Sequence, residues 1–144
     1  YCYDCGNYDC DCDYGSNSDT NIDISQVNGK IAYPFNKTIT DDELGLMRGI
    51  NSINCHYCKE ITDTGLIKLG PVKGLDISRC KKITNQGLID YIDNMMSINK
   101  HFKLHVLNLS NVNKLTDKGV KALAKYGNIG LTELYFNSNN KITD

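Results

Sequence analysis

The sequence predicts a curved α/β solenoid, with parallel strands on the concave face and helices on the convex face. The first observation behind this is a recurring triplet. Ile39-Thr40-Asp41, Ile61-Thr62-Asp63, Ile83-Thr84-Asn85, Leu115-Thr116-Asp117 and Ile142-Thr143-Asp144 follow one another at offsets of 22, 22, 32 and 27 residues. The second is a pattern that starts eleven residues ahead of each later triplet: Ile50-x-x-Ile53-x-Cys55-x-x-Cys58, Val72-x-x-Leu75-x-Ile77-x-x-Cys80, Leu104-x-x-Leu107-x-Leu109-x-x-Val112 and Leu131-x-x-Leu134-x-Phe136-x-x-Asn139. A weaker copy, with Ile31, Tyr33 and Asn36, precedes Ile39. The third is that both patterns hold their mutual offset while the repeat length varies, as stacked units with a variable return segment do.

Each element follows from its spacing. Apolar residues at i and i+2 face one side of a short strand, so Ile53–Cys55, Leu75–Ile77, Leu107–Leu109 and Leu134–Phe136 are expected as adjacent parallel strands. After each turn, the threonine of the triplet offers a helix N-cap, and apolar residues follow at i and i+3: Leu44/Met47, Leu66/Leu69, Leu88/Tyr91 and Val120/Leu123. Helices are therefore expected near 41–48, 63–69, 85–96 and 117–126. In the 32-residue repeat, Leu88, Ile92, Met95 and Met96 keep helical spacing, so its extra length should extend the helix and lengthen the return loop. One strand and one helix cannot bury their apolar faces alone; stacked copies share a continuous core.

Length and composition agree with this. The 144 residues suffice for a core, apolar residues make up 40% and charged residues 23%, and no apolar run approaches the roughly 20 residues of a membrane span. Charge is uneven. Residues 1–24 hold six aspartates and no lysine or arginine, whereas residues 25–144 carry sixteen basic groups against eleven acidic ones. Those lysines are dispersed along the sequence without an arginine cluster, which argues against nucleic acid as a partner. The expected organisation is an acidic, cysteine-rich, flexible tail over 1–27 and a repeat domain of about five units over 28–144, the last incomplete. A terminal repeat without a cap points to a piece of a longer protein.

The unit L-x-x-L-x-L-x-x-C-x-x-I-T-D-x-G-L, read in Ile50 to Leu66 and Val72 to Leu88, resembles the cysteine-containing leucine-rich repeats of F-box and leucine-rich-repeat proteins, the substrate receptors of ubiquitin ligases. The resemblance covers about 28–144. Val112 and Asn139 stand where that family has cysteine. It implies ubiquitin-ligase components among the partners of a protein-binding scaffold; that the scaffold is cytoplasmic and not an enzyme is expected from its cysteines and from the lack of a catalytic motif.

Seven cysteines do not form a disulfide pattern. Cys55, Cys58 and Cys80 fall on repeat positions, where Cys55 should pack in the core, and Cys58 and Cys80, like Asn36 and Asn139, should hydrogen-bond the turn backbone. The odd total suggests reduced thiols inside a cell, although the sequons Asn36-Lys37-Thr38 and Asn108-Leu109-Ser110 hint at secretion. Cys2, Cys5, Cys10 and Cys12 offer four sulfurs, a set suited to tetrahedral zinc, so a metal-responsive regulator is the alternative reading; otherwise no cofactor is expected. Asp4, Asp9, Asp11 and Asp13 lack the spacing of a calcium loop, and His56, His101 and His105 assemble no catalytic motif. The expected partner-binding residues lie on the concave strand face: Asn54 and His56; Asp76 and Ser78; Asn108 and Ser110; Glu133, Tyr135 and Asn137.

Overall fold

A computed structural model describes residues 31–32, 38–127 and 129–143. Five strands and four helices alternate: β1 (Ile31–Ala32), α1 (Asp41–Leu46), β2 (Ser52–Asn54), α2 (Asp63–Leu69), β3 (Gly74–Asp76), α3 (Asn85–Ile98), β4 (Val106–Asn108), α4 (Asp117–Lys125) and β5 (Glu133–Tyr135). The strands form one sheet in chain order, every neighbouring pair parallel. The solenoid expected from the sequence is the fold observed.

Each strand begins one residue earlier than the apolar pair suggested. Cys55, Ile77 and Leu109 already open the turn, yet their N–H groups still donate to the next strand, to Asp76 O (2.7 Å), Asn108 O (3.0 Å) and Tyr135 O (2.7 Å). The ladder thus outlasts the regular strand by one bond. The first copy is also out by one: Ala32, not Ile31, pairs with Ile53. Only six residues separate Ala32 from the triplet at Ile39, against seven between Ile53 and Ile61, so the weak copy is shorter between strand and triplet.

Threonine caps start the helices as expected. Thr40 makes a reciprocal capping box with Glu43, while the Thr62, Thr84 and Thr116 side chains accept from Thr64 N, Gly87 N and Lys118 N. The residue after each threonine does something further. The Asp41 carboxylate accepts from Thr62 N (2.8 Å) and Thr62 Oγ1 (2.5 Å) of the following repeat. Asp63 holds Thr84 in the same way, Asn85 holds Thr116, and Asp117 holds Thr143. This inter-repeat ladder explains the glycine of the repeat: a Cβ on Gly87 would lie 2.0 Å from Asp63 Oδ1, and one on Gly65 2.3 Å from Asp41 Oδ1.

The core is built in columns, with Ile53, Leu75 and Leu107, then Cys55, Ile77 and Leu109, all buried against Leu44, Leu66, Leu69, Leu88 and Leu123. The ten extra residues of the long repeat lengthen α3 to fourteen residues and its return loop, as the spacing predicted. In that loop the buried Phe102 meets Tyr91 edge-on at 6.3 Å, and Tyr91 Oη donates to Gly70 O at 2.9 Å. Toward β5 the column opens: Leu134 is half-buried and Phe136 is 41% exposed.

Candidate functional site

The concave face is set by the pleat. With Ile53, Leu75 and Leu107 turned inward, residues one place to either side turn outward, and the register aligns Asn54, Asp76, Asn108 and Tyr135 in one row. The first three share one local device: Asn54 Oδ1, Asp76 Oδ1 and Asn108 Oδ1 each accept the backbone N–H two residues on, from His56, Ser78 and Ser110 (2.9, 2.9 and 3.1 Å). A side chain that bonds its own backbone in this way fixes the turn. One residue further along, Tyr57, Arg79, Asn111 and Ser138 all adopt left-handed φ between 57° and 61°. Few non-glycine residues do so without surrounding bonds to hold them. Here the N–H groups of Tyr57, Arg79 and Asn111 donate across to Ser78 O, Ser110 O and Asn137 O.

These turns join the concave side chains into a network. Asp76 Oδ2 accepts from Asn108 Nδ2 (3.0 Å), and Asp76 Oδ1 also accepts from the Ser78 hydroxyl. His56 Nδ1 lies 2.7 Å from Ser78 Oγ. Because the serine's one hydrogen is committed to the carboxylate, Nδ1–H is the donor in that contact. The serine thus sits between histidine and aspartate. In a nucleophilic triad the histidine takes that place, so Ser78 is not activated by this arrangement. Farther along, Ser110 Oγ accepts from Asn137 N (3.2 Å) and Tyr135 Oη donates to Glu133 Oε2 (2.7 Å), which raises the tyrosine pKa.

The expected site residues separate into two groups. His56, Glu133, Tyr135 and Asn137 are exposed, and Asn54, Asp76, Asn108 and Ser110 are half-exposed. Ser78 was expected on the surface but is only 4% exposed, because the His56 ring and the Asp76 carboxylate close over it; it orients its neighbours. Cys2, Cys5, Cys10 and Cys12 lie outside the described residues. Among the described residues no group of histidine, cysteine and acidic side chains is placed to hold a metal, and no helix is long and apolar enough to cross a membrane.

Cys55, Cys58 and Cys80 are buried free thiols. The neighbouring Cys58 thiol and burial push the Cys55 pKa well up, and burial pushes that of Cys80 up to about 12. A thiol held protonated is a poor nucleophile and metal ligand. Cys80 Sγ donates instead to Cys55 O (3.1 Å), and at the matching position Asn139 Nδ2 donates to Leu109 O and Phe136 O, both at 3.0 Å. This is the turn-bonding role expected of those positions.

What sequence spacing concealed is the turn edge. Lys59, Lys81, Lys82, Lys114 and Lys141 look scattered along the chain, but they occupy successive turns after the strands. The irregular offsets hid this, and aligning the sequence on the triplets alone would have revealed it.

Residues 100–124, which run from the loop before β4 into α4, match the family profile described as Leucine Rich repeat. Among solved structures, a chain in the crystal structure of the Rad7 and Elc1 complex in yeast is similar, with a TM-score of 0.58 and 18% identity over 74% of this chain. The match spans 27% of that chain. No curated protein matches the sequence significantly.

Proposed function

From the premise that this chain is a leucine-rich-repeat solenoid, we propose that its concave face binds a protein partner and that the partner meets Tyr135, Glu133 and His56 first. One observation carries the reading: the concave side chains are already ordered by bonds to one another. Association costs conformational freedom in every side chain it immobilises, about 0.5–1.5 kcal/mol each, and a face fixed in advance avoids much of that cost. Tyr135 is the aromatic anchor of the face, 44% exposed and held by Glu133. Aromatic residues of this kind dominate interface energetics. The small polar side chains around it suit an extended backbone or polar loop better than an apolar plug.

A substrate-recruiting receptor of the ubiquitin-ligase type is the more specific form of this proposal. Two things support it: the resemblance of the repeat unit to those of F-box and leucine-rich-repeat proteins, and a structural neighbour that occurs in a complex of two proteins. The test is a photo-reactive residue in the intact parent protein, at Tyr135 or, as control, at Lys121 on the outer face of α4. The captured protein is then titrated. Tyr135→Ala and Glu133→Lys are expected to weaken binding by about 1–2 kcal/mol, and Lys121→Glu by little. The reverse ranking would move the site to the convex face and end the proposal.

A further inference from the structure

The turns that close the strands form an exposed basic edge, beside the concave face but not part of it. Segments 57–61, 79–83, 111–115 and 138–142 carry six basic residues, Lys59, Arg79, Lys81, Lys82, Lys114 and Lys141, and one acidic residue, Glu60. Parallel strands stack about 4.8 Å apart, so equivalent turn positions lie side by side. The Lys82 Nζ–Glu60 Oε2 pair, 2.7 Å across adjacent repeats, shows that neighbours in one column are within reach of each other. Asp63 and Asp117 start the helices just behind this edge and weaken its field, but each directs both oxygens to a threonine of the next repeat. The five lysines are all exposed.

Stacked like charges repel, and an anionic chain laid across them relieves the repulsion. The sequence holds such a chain: residues 1–24, with six aspartates and no basic group. We propose that this acidic N-terminal segment docks in cis on the basic turn edge, through ion pairs between its aspartates and the edge lysines. The reach is sufficient. The eight residues from Asp23 to Ile31 extend up to about 27 Å, more than the roughly 10 Å length of a three-residue strand that they must pass. In an extended chain Asp9, Asp11 and Asp13 stand about 7 Å apart, close enough to the spacing of the turns for successive carboxylates to find successive lysines. Individual exposed pairs are weak, but tethering supplies an effective concentration of about 1 mM. For an intrinsic Kd of the same order, the segment covers about half of the edges at low salt.

The experiment uses the full 144-residue chain in reducing, metal-free buffer and a variant in which the six aspartates of 1–24 are changed to asparagine. Lysine acetylation is read residue by residue by mass spectrometry, at low salt and in about 1 M salt, where the screening length falls to about 3 Å. The expected result is an about twofold rise in labelling of Lys59, Lys81, Lys82, Lys114 and Lys141 on neutralising the segment or adding salt, with Lys121 and Lys125 unchanged. Equal labelling of the two chains at low salt overturns the proposal. A second measurement titrates both chains with poly-glutamate. If the segment competes in cis, the variant binds about twice as tightly; equal affinity means that the edge is open to acidic partners in trans and the cis proposal fails. Matching far-UV circular dichroism establishes that the variant is folded.

Discussion

Gly87 tests the inter-repeat ladder most directly. In a helix, alanine is intrinsically better than glycine by about 1 kcal/mol, so propensity alone predicts that Gly87→Ala stabilises the protein. The structure predicts the opposite. The added Cβ would stand 2.0 Å from Asp63 Oδ1, a separation no packing tolerates, so the carboxylate must leave. Its bonds to Thr84 N and Oγ1 (2.8 and 2.6 Å) are then lost. Bonds to a charged group contribute about 1.5–3 kcal/mol each; at this half-buried site the lower figure gives about 3 kcal/mol, against a gain of at most about 1. The expected net loss is about 2 kcal/mol. In urea, with a slope of about 2 kcal/mol/M, the midpoint followed by circular dichroism should fall by about 1 M. The decisive measurement is a double-mutant cycle. With Asp63→Gly already in place the three atoms nearest the new Cβ, Asp63 Cγ and Oδ1 at 2.0 Å and Cβ at 2.5 Å, are gone, so Gly87→Ala should become neutral or stabilising, giving a coupling of about 3 kcal/mol. If Gly87→Ala stabilises the unmodified chain, or the two changes are additive, the explanation of the glycine is wrong.

Three further outcomes are expected. Asn139→Ala removes the donors to Leu109 O and Phe136 O and should cost about 1–2 kcal/mol in the same urea assay, with Asn139→Cys in between because a thiol donates weakly, as Cys80 does. Stability should hold below pH 9 and decline as the pH rises from 9 toward 12: burial raises the Cys80 pKa from 9.0 to about 12, so the unfolded chain ionises first, and Cys80→Val should make the decline shallower. Buried Tyr91, also raised, adds to the loss at the alkaline end. Purified in metal-free buffer, the protein should contain no stoichiometric zinc by elemental analysis; one equivalent, lost in Cys5→Ser and Cys10→Ser, would favour the metal-responsive alternative.

The fold was legible because the solenoid turns a three-dimensional stack into a one-dimensional pattern. Ile53, Leu75 and Leu107 share a column because each must bury the same face, and that requirement writes the same residue class at the same phase in every repeat. The strand ends were not legible to one residue. Cys55, Ile77 and Leu109 are as apolar as strand residues and still bond across the ladder, although their backbone has already begun to turn. Nor was the burial of Ser78, since nothing in a serine on the polar phase says that an aspartate two residues earlier and a histidine one repeat earlier will close over it.

The same comparison separates scaffold from recognition. Residues that repeat, such as the threonine caps, the Asp41, Asp63, Asn85 and Asp117 ladder and the glycines that make room for it, have an identical task in each unit, and their bonds run from one repeat to the next. Residues that differ between units at equivalent outward positions cannot be required by stacking, because the stack tolerates all of them. His56, Ser78, Ser110 and Asn137 share one position, and two residues earlier Tyr135 interrupts the row of Asn54, Asp76 and Asn108, whose side chains have the repeated task of fixing their own turns. The hydrogen bonds of Asn54, Asp76 and Asn108 fix how the side chains beside them are presented without dictating which those are. Stacking alone does not fix which side chain stands at His56, Glu133 or Tyr135, and this variation within a constant register supports the proposal that a partner binds the concave face.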